Sequence, residues 1–158
     1  MPLIIEDGSV VSGANSYATY QEIEAYADAR GIELAADSEI LAIQAMDYLQ
    51  SLDYKGDKVS ALQSLKFPRS GVDVDGFTLD SDSVPYVLKN AQCATAISID
   101  QGVDPLAAIT PGVKREKLDV LEVEYQDGAS SQSINRTINA LLRPLLAAGG
   151  AFRVSPGR

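Results

Sequence analysis

The densest run of side chains able to ligate anything is Asp73-Val74-Asp75-Gly76, with Asp80 and Asp82 close behind. Carboxylates at alternate positions suit a hard cation, but an EF-hand loop needs Gly at its sixth place and a bidentate Glu at its twelfth. Counted from Asp73, Thr78 holds the glycine place and Val84 the glutamate place, while Gly76 falls too early. The stretch reads instead as a tight Asp-Gly turn between two short extended runs. The carboxylate pairs Glu22/Glu24 and Glu122/Glu124 alternate or lie on an exposed face, so they read as solvated surface.

The chain contains no His, which removes the commonest general base and the usual catalytic triads. Cys93 stands alone among small and apolar neighbours and reads as a buried core residue. A single Cys excludes an intrachain disulfide, and with no His a structural zinc site lacks ligands. No glycine loop opens a helix, because Gly149-Gly150 follows one. The residues therefore predict no catalytic site, no cofactor and no metal, and the chain does not read as an enzyme.

Charge narrows the partners. Thirteen basic residues stand against 22 acidic, a formal net charge of −9. Such a chain repels a polyanion unless its cations gather on one face. The one gathering is Lys114-Arg115-Glu116-Lys117, and Glu116 interrupts it. Tight DNA binding is disfavoured on these grounds, and solubility is a sufficient account of the acidic excess.

The 158 residues suit one domain. No apolar run reaches the length needed to span a membrane. The opening Met-Pro-Leu-Ile-Ile-Glu-Asp lacks the basic region and long apolar stretch of a secretory signal. Leu3-Ile4-Ile5 predicts a brief strand or extended arm. Thr19 with Glu22 three residues on forms a capping box that opens a first helix, which Gly31 closes. Asp37 or Ser38 caps a second helix with a wide apolar stripe through Leu41, Ala45, Tyr48, Leu49 and Leu52, ended by Tyr54-Lys55-Gly56. Ser60 and Gln63 predict a second capping box and a short helical turn through Leu65.

A long connector over 65–91 follows, and its Phe67, Val72, Val74, Phe77 and Leu79 predict that it is packed. Ser83 and Pro85 open a third helix over 84–101, closed by Gly102. Asp104-Pro105 caps a short turn through Ile109. Over 113–125 the period changes: Leu121, Val123 and Tyr125 alternate with Glu122 and Glu124, a half-buried strand with 114–118 as its candidate hairpin partner. The stripe Ile134, Ile138, Leu141, Leu142, Leu145 and Leu146 predicts a last helix capped by Ser133, with a kink or two half-helices at Pro144. The expected fold is mainly α: a bundle of about four helices with a small β-hairpin and extended termini. One domain over 1–148 would precede a flexible tail over 149–158.

The ordered set of these features resembles a known family. Asn15-Ser16-Tyr17, Ala45-Met46-Asp47-Tyr48-Leu49 and Tyr54-Lys55-Gly56 match its first half. Leu65-Lys66-Phe67-Pro68-Arg69-Ser70-Gly71, Val84-Pro85, Lys89-Asn90-Ala91, Lys114-Arg115-Glu116-Lys117, Val123-Glu124-Tyr125 and the run from Leu141 to Leu146 match the rest. The chain is similar over essentially its whole length to the head–tail connector (adaptor, or head-completion) proteins of tailed bacteriophages, often labelled DnaT-like single-stranded DNA-binding. Phe67 stands where that family commonly has Trp.

The resemblance implies a homo-oligomeric ring, expected to be a dodecamer, under the portal protein in the virion. Assembly would take place in the host cytoplasm. The ring would extend the channel through which double-stranded DNA passes and offer a platform to tail, stopper or tail-terminator proteins. Phe152, Arg153 and Arg158 are the candidate portal contacts if the tail docks. Phe67, Pro68 and Arg69 are a second candidate interface, or else a local core anchor for the connector. The alternative function is a single-stranded DNA-binding replication accessory, which requires salt-sensitive binding and a clustered basic face.

Overall fold

The computed structural model describes residues 2–106 and 129–147. The helices are α1 (Tyr20–Asp28), α2 (Ser38–Ser51), α3 (Tyr86–Asp100) and α4 (Ala129–Leu142). Two antiparallel ribbons lie between α2 and α3: β1 (Asp57–Lys58) with β2 (Arg69–Ser70), and β3 (Asp73–Val74) with β4 (Phe77–Thr78). The mainly helical class with small hairpins is thus the fold observed. The strand expected over 113–125 and the tail over 149–158 lie outside the described residues.

The third helix is the hub, packing on α1, α2 and α4. Every residue from Ala91 to Ser98 is buried, which a helix achieves only when neighbours cover all its sides. Its sequence suits that position, since Ala91, Ala94 and Ala96 let other helices approach closely. The hydroxyls of Thr95 and Ser98 donate back to Ala91 O (2.7 Å) and Ala94 O (2.8 Å), so neither is left unpaired in the core.

Local signals explain the helix starts. Thr19 Oγ1 accepts from Glu22 N–H, and the Glu22 carboxylate accepts from Thr19 N–H at 2.7 Å, the reciprocal capping box. Asp37 caps α2 through the N–H groups of Glu39 and Ile40. The Asp-Gly turn also forms: Asp75 (φ 52°) and Gly76 (φ 85°) join β3 to β4 in a primed hairpin turn.

Several boundaries differ from expectation. The second helix ends at Ser51, before Tyr54-Lys55-Gly56, because Leu52 turns extended. That turn carries the Tyr54 ring into the core, where its hydroxyl donates to Leu49 O at 3.0 Å. Ser60 and Gln63 make capping-box bonds (Ser60 N–H to Gln63 Oε1, 3.1 Å; Leu62 N–H to Ser60 Oγ, 3.2 Å) but open only a turn. The Gln63 amide instead donates to Leu65 O and Pro68 O, drawing the chain away from a helical path. Ser83 donates to Asp80 O and caps nothing, and Pro85 stands at the N-cap of α3.

The fourth helix starts at Ala129, four residues before Ser133, since nothing between those positions breaks a helix. It stops at Leu142 without a kink. Pro144 has no N–H to give to Ala140 O, so the regular ladder ends there, and the chain goes on as a turn in which the N–H groups of Leu145 and Leu146 both donate to Leu142 O. Beyond it Leu146 bridges to Tyr54, and Ala147 N–H donates to Asp53 O at 3.0 Å. The early apolar run Leu3-Ile4-Ile5 makes a single parallel bridge, Ile5 to Ser16.

Candidate interaction surface

Phe67 anchors the connector from below. It is 1 % exposed, and its ring meets Tyr54 edge-on, with centroids 5.2 Å apart at 86°. Its N–H donates to Tyr17 Oη at 3.0 Å. Pro68 is buried beside it. Arg69 turns inward: Nε donates to Lys55 O (2.7 Å), Nη1 to Lys66 O (3.3 Å), and Nη2 to Gly56 O and Tyr54 O. One guanidinium therefore gathers carbonyls from both edges of the β1–β2 ribbon, a task that suits its rigid fork of donors. A Cβ on Gly56 would stand 2.1 Å from Ser70 O, so the ribbon closes only around a glycine there.

In this fold Phe67 and Pro68 offer almost no surface. Together with Arg69 they position the connector rather than present themselves to solvent. Phe152, Arg153 and Arg158 lie outside the described residues. What this region presents is apolar: Leu62, in the turn just before the connector, is 90 % exposed and Phe77, on β4, is 76 % exposed. Phe77 is surrounded in sequence by Asp73, Asp75, Asp80 and Asp82 and by no cation.

Other cations are engaged within the chain as well. Lys55 Nζ donates to Pro144 O (2.8 Å) and Asp73 O (3.3 Å), tying the connector to the end of α4. Lys89 pairs with Glu22 at 3.1 Å. The Arg30 guanidinium lies 3.4 Å from the Tyr26 ring centroid. Lys58, Lys66, Arg136 and Arg143 are the cations with no such partner among the described residues. Lys58 lies on β1, Lys66 in the connector, Arg136 on α4 and Arg143 just past its end.

Two polar side chains central to this arrangement escaped sequence reasoning. Gln92 is fully buried; its Oε1 accepts from Tyr17 N–H (3.0 Å) and Ala18 N–H (2.9 Å), and its Nε2 donates to Ser16 Oγ (2.7 Å) and Ala42 O (3.1 Å). It thereby joins α3 to the entry of α1 and to α2. Glu6, also fully buried, accepts from the N–H groups of Gly8, Val10 and Val11. Those bonds hold Val10 at φ 63°, a conformation a β-branched residue rarely adopts. The hint in the sequence was an amide at Gln92 on the small and apolar run from Ala91 to Ala96.

Burial dominates the titration of the core. It pushes the Tyr17 hydroxyl up to about 12 and the Cys93 thiol up to about 12, and raises Tyr54 as well. A thiol so shifted is inert rather than nucleophilic. Among the described residues no group of three or more His, Cys, Asp or Glu side chains is placed to hold a metal ion.

The described surface is that of a small helical protein with an exposed apolar connector. A family model described as "Putative DnaT-like ssDNA binding protein" matches residues 1–158. The chain belongs to that family. No curated protein and no solved structure matches it. The family description agrees with the single-stranded DNA-binding alternative and says nothing of tailed-phage connectors.

Proposed function

We propose that the chain is a structural subunit of a tailed-phage head–tail junction. Copies of it form a ring beneath the portal, extend the DNA channel and seat the tail. The observation that carries this reading is the division of side chains in and just before the connector: its guanidinium is spent on backbone carbonyls while Leu62 and Phe77 face solvent. Large exposed apolar groups rimmed by charge suit protein–protein contact. A ring uses a heterologous interface, in which one patch meets a different patch of the next copy. The resemblance of the ordered motifs to connector proteins supplies the partner. Mixing the chain with assembled portal and sizing the product by native mass spectrometry tests it: a discrete species with many copies per portal is expected, and no association would overturn it.

The family description favours a second reading, a single-stranded DNA-binding accessory. Bases stack on aromatic faces flanked by cations, and the Tyr26–Arg30 pair with Tyr86, 76 % exposed, supplies such groups on α1 and α3. Glu22, Glu24 and Asp28 on the same α1 helix oppose a polyanion. Titration with a single-stranded oligonucleotide at two salt concentrations decides it. Binding that weakens with salt and with Tyr86→Ala supports this reading, and absence of binding at low salt removes it.

A further inference from the structure

Between the end of α1 and the start of α2 lies a cleft of about 460 Å³. Its floor includes Ile32 and Leu34, both half-buried, so apolar area lies open inside it. Its rim carries Glu24, Asp28, Glu33, Asp37 and Glu39, and among the described residues no Lys or Arg lines it. Two of these carboxylates have work within the fold: Glu24 accepts from Ser38 Oγ at 2.8 Å, and Asp37 caps α2. Neither bond neutralises charge. An occupant that fits must be both apolar and cationic.

The chain carries such a segment. Residues 151–158, Ala-Phe-Arg-Val-Ser-Pro-Gly-Arg, contain Phe152, Val154, Arg153 and Arg158 and no acidic residue, within a chain of net charge −9. We propose that this segment docks in the cleft of its own chain, with Val154 over Ile32 and Leu34 and the two arginines on the carboxylate rim.

Reach allows it. Ala147 is fixed to Asp53, just beyond the last turn of α2, and the cleft lies at that helix's first turn. A helix rises about 1.5 Å per residue, so the distance along α2 is roughly 20 Å. At about 3.3–3.6 Å per residue Val154 reaches roughly 25 Å from Ala147, whereas Phe152 reaches only roughly 18 Å. Two consecutive glycines, as at 149–150, are the composition of a flexible linker. A short flexible link gives an effective concentration in the millimolar range, so the chain's own segment outcompetes a second copy's at micromolar protein. Lys114-Arg115-Glu116-Lys117, the other cationic run, carries an acid and no aromatic residue. The proposal does not depend on the ring. A docked segment would have to leave the cleft before Phe152 or Arg153 could touch a portal.

Chymotrypsin cleavage after Phe152 in the full chain, followed by mass spectrometry, tests the docking, with cleavage after the exposed Phe77 as internal reference. Proteolysis tracks the undocked fraction, so Asp28→Lys with Glu33→Lys should speed the Phe152 cut about tenfold. Both positions are exposed, and neither side chain makes a hydrogen bond among the described residues. Adding Arg153→Glu and Arg158→Glu to that variant should restore protection, and in the natural chain high salt should weaken it. Equal rates in the natural and cleft-reversed chains would overturn the proposal. So would protection that grows between about 1 and about 100 µM protein, which assigns the cleft to a second copy. Protection abolished by Lys114→Glu with Lys117→Glu, but unchanged by Arg153→Glu with Arg158→Glu, would assign it to the other basic run.

Discussion

The Tyr17 hydroxyl accepts the backbone N–H of Phe67 at 3.0 Å, across fifty positions of sequence. That bond fastens the connector to the loop that leads into α1, and Gln50 Nε2 reaches the same oxygen at 3.3 Å. Tyr17→Phe keeps the ring and strands a buried donor. The expected loss is about 1–3 kcal/mol in urea unfolding, with far-UV dichroism unchanged. An unchanged urea midpoint would mean that water reaches Phe67 N–H.

Alkaline pH should loosen the same core. The folded-state values of Tyr17 and Cys93 rise from 10.0 and 9.0 to about 12. The folded chain therefore holds protons that the unfolded chain releases. Their contribution is complete below pH 9 and is lost as pH climbs from there toward about 12. A urea midpoint that falls across this window checks the sign. At pH 8 a thiol reagent should modify Cys93 only as fast as the chain opens.

Arg69→Lys should not behave as a conservative change. An ammonium cannot span the carbonyls of Tyr54, Lys55, Gly56 and Lys66 from one position. We expect a loss of about 1.5–3 kcal/mol, the range for hydrogen bonds to a charged group. Faster proteolytic nicking over 54–79, with the helices intact, is the accompanying signature.

Gln92→Leu should cost at least about 2 kcal/mol, because it leaves the buried N–H donors of Tyr17 and Ala18 unpaired at once. Chemical denaturation measures this directly. A smaller loss would show that α1 and α2 can shift to re-pair those groups.

Leu62→Ser with Phe77→Ser should leave stability within about 0.5 kcal/mol, since both side chains already face water. If the connector surface joins copies or binds portal, the same variant should lose that association in native mass spectrometry. Retained association would place the contact elsewhere on the chain.

What was legible in the sequence was local. Thr19 and Glu22 form a capping box because both bonds close within one turn, and Asp75-Gly76 sets its hairpin by its own dihedral preferences. Apolar period revealed the four helices, and a proline misread as a kink was in fact a stop. The polar pins were not legible. Gln92 bonds to residues about fifty to seventy-six positions away, and nothing beside it in the chain announces those partners. Arg69 shared both readings, interface or core anchor, with Phe67 and Pro68, and nothing beside it in the chain announces the carbonyls that the fold brings around it. Phe67 was read both as an interface residue and as a core anchor, and only its burial beside Tyr54 places it.

Gly8 meets the connector as closely as Gly56 meets β2. A Cβ there would stand 2.0 Å from Asp82 O. Each glycine sits where two distant stretches of backbone touch, and no side-chain adjustment can make room. These two positions should therefore tolerate less sequence drift than the aromatic anchor itself, where one ring can replace another. A natural homologue with alanine at either position must have displaced the opposing strand or loop, so its connector would serve as a record of how that surface has been rebuilt.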